Sequence, residues 1–269
     1  MKIATYNING IKARLPALLD WLKEADPDVV CLQEIKSVDA AFPAEEIEAL
    51  GYNVETHGQK SFNGVALLSK LPLEDVTRGL PGDDSDEQAR WIEATVMGDT
   101  EAVRICGLYL PNGNPVSFDA QGAPEREGKY GYKLDWMDRL HARAEALMAA
   151  ETPALMAGDY NIIPQREDAA RPDAWTKDAL FLLESREAFR RILNLGFTEA
   201  IRTRHPEPGL YSFWDYQANS WERNNGIRID HVLMTPACAD LMTDCGIDRD
   251  VRAREKPSDH VPVWVELAA

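Results

Sequence analysis

The chain opens on KIATYNI at 2–8, where polar and apolar positions follow a strand-like pattern. Leu15, Leu18, Leu19 and Leu22 then recur at helical spacing, which predicts a helix over Arg14 to Ala25. VVCLQE at 29–34 is an apolar strand run ending in polar residues. AEEIEAL at 44–50 is a short helix stopped by Gly51, a C′ glycine. Strand patterns follow at 52–57, 64–69, 91–97 and 103–110. A long helix is expected over Tyr132 to Ala150, and PALMAGDYN at 153–161 again runs from apolar strand to polar end. A helix is expected over 178–195 with Leu180, Leu183, Phe189 and Leu193 facing inward. IRIDHVLM at 227–234 and VPVWVEL at 261–267 complete the strands. No linker or low-complexity tract interrupts this order, so residues 1–269 are expected to form one domain. Strands joined partly without helices point to mixed sheets, an α/β (α+β) fold of two sheets face to face with helices outside.

Composition adds little to that picture. With 45% hydrophobic and 28% charged residues the chain is ordinary for a soluble enzyme. No apolar run approaches the ~18 residues of a membrane span. Asn and Gly in MKIATYNING stand where a signal peptide needs its apolar stretch, so a cytoplasmic protein is expected. Cys31, Cys106, Cys238 and Cys245 form no CxxC pair and read as thiols of a reducing compartment, not as a zinc site. The net charge of −16 counts against binding nucleic acid by counterion release. A metal ion can supply positive charge at a phosphate, and net charge does not describe local patches.

The candidate chemistry sits where strands end. Asn7 follows the first strand, Glu34 ends VVCLQE, and Asp159 and Asn161 end PALMAGDYN. Asp230 lies in IRIDHVLM, and Asp259 and His260 precede the last strand. Carboxylate and amide oxygens suit a hard ion such as Mg²⁺, which takes one or two protein carboxylates and leaves the others free to handle protons. Each residue alone has a plainer reading. Glu34 is then a solvated carboxylate, Asp159 an Asx-turn residue, His260 a satisfied half-buried ring with Asp230 as partner, and Tyr109 sheet filling.

Together they are distinctive. LQE at 32–34, GDYN at 158–161, RID at 228–230 and SDH at 258–260 stand in the order of the exonuclease–endonuclease–phosphatase superfamily. TYNING at 5–10, GLYLPNG at 107–113, YSFWDYQ at 211–217 and EKPSDHVPVW at 255–264 resemble its exonuclease III branch, as does GYNVETHGQKSFNGVALLSK at 51–70. The resemblance implies a four-layer sandwich and a Mg²⁺-dependent nuclease, with Mn²⁺ as a possible substitute. It would cut double-stranded DNA 5′ to abasic sites and act on damaged 3′ ends as exonuclease and phosphatase. It implies Glu34 as principal Mg²⁺ ligand with Asn7 and Asp259 close to the ion. Asp159 would be general base, Asn161 would orient water, His260 would contact the phosphate with Asp230 setting its tautomer, and Tyr109 would donate to a phosphate oxygen. Asp159, Asn161 and His260 could instead border a second ion.

Substrate contacts are expected from Lys12, Arg14, Lys36, Gln59, Lys60, Asn63 and Asn112 in loops around the site, each with solvated loop polarity as its alternative. Phe213 and Trp214 resemble residues lining an abasic-sugar pocket, with core packing as the competing account. Pro111 to Lys133 reads as a long Gly- and Pro-rich loop, and Asp83, Asp84, Asp86 and Glu87 as a solvated turn. A monomer without membrane or obligatory protein partner is the default. Two alternatives remain: a phosphoesterase of the same fold acting on inositol phosphates, sphingomyelin or RNA, and a DNA-binding module without catalysis.

Overall fold

A computed structural model describes residues 1–269. The first half runs β1 (Lys2–Asn7), α1 (Ile11–Ala25), β2 (Val29–Gln33), α2 (Ala44–Glu48), β3 (Asn53–His57), β4 (Val65–Ser69), β5 (Leu73–Arg78), β6 (Trp91–Met97) and β7 (Ala102–Tyr109). The second half runs α3 (Gly128–Ala149), β8 (Ala154–Asp159), α4 (Leu183–Asn194), β9 (Thr198–Glu199), α5 (Ala200–Arg204), β10 (Asp230–Met234), α6 (Pro236–Ala239), β11 (Met242–Ile247) and β12 (Val263–Leu267). One sheet has the order β11-β12-β1-β2-β4-β3 and the other β5-β6-β7-β8-β10-β9. Each is mixed, with one parallel pair at its centre: β1 with β2, and β7 with β8. A helix crosses over between the members of each pair, α1 in one sheet and α3 in the other, as parallel neighbours require.

The two sheets pack face to face. Ile3, Val29, Cys31, Val65 and Leu67 of the first meet Ile105, Leu155, Ala157, Val232 and Met234 of the second in one buried core. Alternate residues point the other way. Ala4, Tyr6, Val30 and Leu32 pack with Leu18, Trp21 and Leu22 of α1. Cys106, Leu108 and Met156 pack with Trp136 and Leu140 of α3 and with Phe189 and Ile192 of α4. Strands buried on both faces explain why so many read as continuous apolar runs. The result is a four-layer α/β/β/α sandwich, and no helix is long and apolar enough to cross a membrane.

Several boundaries differ from expectation, each for a tertiary reason. Helix α1 starts at Ile11, not Arg14, because the Ile11 N–H is taken by the Ile35 carbonyl at 3.1 Å. The long loop ends sooner than the expected Lys133: α3 begins at Gly128, where Tyr130 is buried and its hydroxyl lies 3.2 Å from Ser185 Oγ. Helix α4 begins at Leu183, not at 178, since Asp178 accepts from the backbone N–H groups of residues 180–182 and closes a separate turn. That turn buries Leu180 ahead of the helix, while Leu183 points to solvent and Leu193 is half-buried. Ile227 pairs with Phe213 instead of the sheet, so β10 starts at Asp230 and not at 227. The short or polar elements β5, β9, α5, α6 and β11 carry too little periodicity to be read from sequence. Asp86 is not a solvated turn residue: Arg139 and Tyr132 of α3 both bond it.

Candidate active site

The alternation that builds the inter-sheet core also builds the site. On β1 the inward stripe runs Ile3, Thr5, Asn7; on β7 it runs Ile105, Gly107, Tyr109; on β8, Leu155, Ala157, Asp159. Strand β10 runs the opposite way, from Asp230 through Val232 to Met234, and pairs Asp230 with Asp159. One stripe is therefore apolar in the core and polar at its end. Asn7 and Glu34 lie at the C-terminal ends of one central parallel pair, Tyr109 and Asp159 at those of the other. Sites at such strand ends are the rule for open α/β sheets. Asn9, Glu34, Lys36 and Asn161 have φ of 47°, 49°, 50° and 47°, a left-handed backbone that asparagine tolerates and glutamate and lysine adopt at a cost.

A hydrogen-bond web joins these residues. Asn7 Nδ2 donates to Glu34 Oε1 at 3.0 Å and to Asp159 Oδ2 at 2.9 Å. The Tyr109 hydroxyl donates to the same Glu34 Oε1 at 2.9 Å. Lys36 Nζ lies 2.8 Å from Glu34 Oε2 and donates to Asn9 Oδ1 at 2.6 Å, and Asn9 Nδ2 donates to Asp259 Oδ1 at 3.0 Å. Burial works against ionised Glu34, but Lys36 and Asn7 outweigh it and hold the carboxyl below its usual range. Burial, with the charges of Glu34 and Asp159, pushes the Tyr109 phenol well above its ordinary value, so it stays a donor.

The donor set fits a hard divalent ion. Glu34 and Asp259 offer carboxylate oxygens at the two ends of a link made by Lys36 and Asn9, and the ammonium of Lys36 stands as the cation bonded to Glu34. The Asn7 amide oxygen accepts from the Asn9 N–H at 3.0 Å, and its NH₂ bridges two carboxylates. Asp159, Asp230 and His260 form a second group, whose ligand atoms lie within 4.8 Å of one another.

In that second group His260 donates from Nδ1 to Asp230 Oδ2 at 2.9 Å, and its Nε2 lies 3.7 Å from Asp159 Oδ2. Burial disfavours the charged ring, yet Asp230 and Asp159 outweigh it and raise the imidazole to about 10. That environment favours the charged ring, with Nε2 turned toward Asp159. Burial raises the Asp159 carboxyl to about 7 against the pull of His260. Asp230 Oδ1 is buried without a hydrogen-bond partner. The Asn161 N–H caps Asp159 Oδ1 at 2.8 Å, its Nδ2 donates to the Leu110 carbonyl at 2.9 Å, and its Oδ1 accepts from Asn112 Nδ2 at 3.1 Å.

Five contributors were not anticipated. Asn9 links Lys36 to Asp259, and Ser258 Oγ ties the SDH segment to the Asn7 carbonyl at 2.7 Å. Ser212 Oγ accepts from the Ile229 and Asp230 N–H groups, both at 3.2 Å, and Arg90 stacks 4.8 Å from the Tyr109 ring centre. The fully buried Lys133 reaches the Asn112 and Asn161 carbonyls. Asn9, Ser212 and Ser258 sit inside motifs already singled out, so proximity to Asn7, Phe213 and Asp259 was their available signal. Nothing in the sequence marks Arg90 or Lys133 as part of the site.

The expected substrate contacts divide. Lys12, Lys60 and Asn112 are exposed. Arg14 Nη2 donates to the Tyr216 hydroxyl, and Asn63 donates to Gln59 and Gln88, which brace its loop. Lys36 belongs to the carboxylate web. Phe213 is half-buried, edge-on to His260 with ring centres 4.9 Å apart. Trp214 is a correction: it is fully buried, packs against Tyr211 and Trp221, and donates to Asn224 Oδ1 at 3.2 Å. It is a core residue with no face for DNA.

The model of the Endonuclease/Exonuclease/phosphatase family matches residues 4–260. Exodeoxyribonuclease III of Haemophilus influenzae is 36% identical, over 99% of this chain and 100% of the relative. The structure of an AP endonuclease from Archaeoglobus fulgidus superposes with a TM-score of 0.90 at 36% identity, covering 100% of both chains. A 3′ phosphatase from Neisseria, bound to product DNA hairpin, superposes with a TM-score of 0.91 at 35% identity, again over 100% of both. By the family match over residues 4–260 and the full-length likeness to an exodeoxyribonuclease III, this chain belongs to the Endonuclease/Exonuclease/phosphatase family, in its exodeoxyribonuclease III branch.

Proposed function

We propose that this DNA-repair nuclease incises the backbone of double-stranded DNA 5′ to abasic sites and removes nucleotides and blocking groups from 3′ ends, with Mg²⁺ as its ion and Mn²⁺ as a substitute. The observation that carries the reading is the single amide of Asn7, which bonds both Glu34 and Asp159 and so couples the ion-binding carboxylate to the base. Glu34 and Asp259, with Asn7 beside them, are the residues that would hold the ion. When bound, it supplies Lewis-acid stabilisation of charge developing on the phosphate oxygens.

The chain's own residues supply the rest. Asp159, with a carboxyl raised toward neutrality, takes the proton of the attacking water, as a base matched to working pH does best. Asn161 aligns that water. The His260 imidazolium donates from Nε2 to a non-bridging oxygen, while Asp230 holds Nδ1 and so keeps the ring aimed. Tyr109 donates its hydroxyl to a phosphate oxygen as negative charge grows on it. Phe213 lines the sugar pocket beside His260, and Lys12 and Lys60 meet backbone phosphates. Four unpaired buried thiols suit a reducing cytoplasm, and the enzyme acts as a monomer. The test is a labelled duplex with one abasic analogue, incubated with Mg²⁺ or with excess chelator. Incision 5′ to the lesion that needs the metal is expected. Degradation of an undamaged 3′ end without incision at the lesion overturns abasic recognition.

A further inference from the structure

Lys133 is buried without a carboxylate in contact, an arrangement that is costly unless it holds something in place. It stands in the second turn of α3, the crossover helix of the site-bearing sheet. Its Nζ donates to the Asn161 carbonyl at 2.7 Å and to the Asn112 carbonyl at 3.0 Å. Those carbonyls belong to two different loops, one leaving β7 and one leaving β8. The side chains they carry also meet, Asn112 Nδ2 on Asn161 Oδ1 at 3.1 Å. The fold leaves room for the lysine stem at one residue: a Cβ on Gly113 would stand 2.6 Å from Lys133 Cδ, and Gly113 has φ +90°. The two bonds need two N–H donors, which a lysine nitrogen has whether charged or neutral.

We infer that Lys133 is a positioning residue for phosphodiester cleavage: its single nitrogen clamps the loops after β7 and β8 so that the amides of Asn112 and Asn161 converge on the scissile phosphate and its attacking water. The inference rests on the water-aligning role given to Asn161 in the preceding reading. A core lysine of merely structural value would not need to bridge the backbones of two loops whose side chains meet beside Asp159. Placement errors of about 1 Å in such groups cost on the order of 10²-fold in rate.

The experiment is a double-mutant cycle on steady-state cleavage of an abasic duplex, with N161A, K133M and the double variant, and with thermal melts alongside. K133M is expected to lower kcat about 10²-fold with KM nearly unchanged. In the N161A background the same change should cost much less, because the residue it positions is already gone. Equal cost in both backgrounds, a loss confined to KM, or unchanged kcat overturns the proposal. N161A with wild-type kcat refutes the role of Asn161 and the proposal with it, whereas a slow N161A beside a normal K133M refutes the proposal alone. If K133M melts below assay temperature, G113A replaces it in the cycle, since it displaces the lysine stem without removing the amine, and the same loss of coupling is expected.

Discussion

His260 Nδ1 sits 2.9 Å from Asp230 Oδ2, and that bond faces the ring's other nitrogen toward Asp159. The carboxylate does two things at once: it fixes which nitrogen points toward Asp159, and its charge favours the protonated ring. An amide can fix the ring but supplies no charge. Asp230→Asn is therefore expected to lower kcat by about 10²-fold or more, as losing the orienting carboxylate does in related triads, with little change in the melting temperature. Steady-state kinetics on an abasic duplex checks it, and a variant as fast as wild type removes Asp230 from the mechanism.

Glu34 gathers Asn7, Tyr109 and Lys36 on its two oxygens. Replacing it with glutamine keeps the shape and deletes the charge. Glu34→Gln should bind Mg²⁺ too weakly to detect by titration calorimetry, and lose cleavage by about 10²-fold or more. Calorimetry that still reports wild-type affinity would place the ion elsewhere, with Asp159, Asp230 and His260 the next group to test.

Phe213 and Trp214 are neighbours with opposite fates. Trp214→Ala empties a fully buried site and should cost about 3–5 kcal/mol in chemical denaturation. Phe213→Ala should leave stability nearly intact and lower abasic incision about tenfold relative to digestion of an undamaged 3′ end, measured on paired substrates. Equal loss on both substrates would make Phe213 a support for His260 and not a pocket wall.

Beneath β10 lies a buried ion network in which Arg228 meets Asp168 at 2.9 Å and Glu199 at 2.8 Å. Burial opposes the Glu199 charge, but Arg228 and His231 outweigh it and lower the carboxyl to about 2 from an ordinary 4.5. A depressed folded-state value means that this stabilisation is complete above about pH 4.5 and is lost as pH falls toward 2. Urea midpoints should thus drop steeply between pH 4.5 and 2.5, and Glu199→Gln, already weaker at pH 7, should show a shallower drop. Parallel pH profiles for the two proteins would assign the acid sensitivity to other carboxylates.

Much of this was legible because short apolar runs bounded by polar residues announce buried strands. Apolar runs ending in Asn7, Glu34 and Asp159, with Asp230 inside another, pointed to both the layers and the site, since side chains alternate faces and a polar residue on the inward stripe needs partners at the end of the core. Trp214 shows the limit: an aromatic beside a pocket residue has the same local signature whether it faces the ligand or the core.

The linear chain thus determined the two-sheet class and brought forward the acidic, amide and histidine residues that the fold gathers at one end of its sheets, because hydrophobic pattern and residue chemistry are local properties. Tertiary structure alone decided that Asn9 and Lys36 would link Glu34 to Asp259, and that Ser258 would pin the last motif to β1. It also decided that a lysine on α3, 28 residues away from Asn161 in the chain, would hold two loops together. These are contacts between segments far apart in sequence, set by which strands lie side by side and where each sheet ends, and no window of neighbouring residues contains that information.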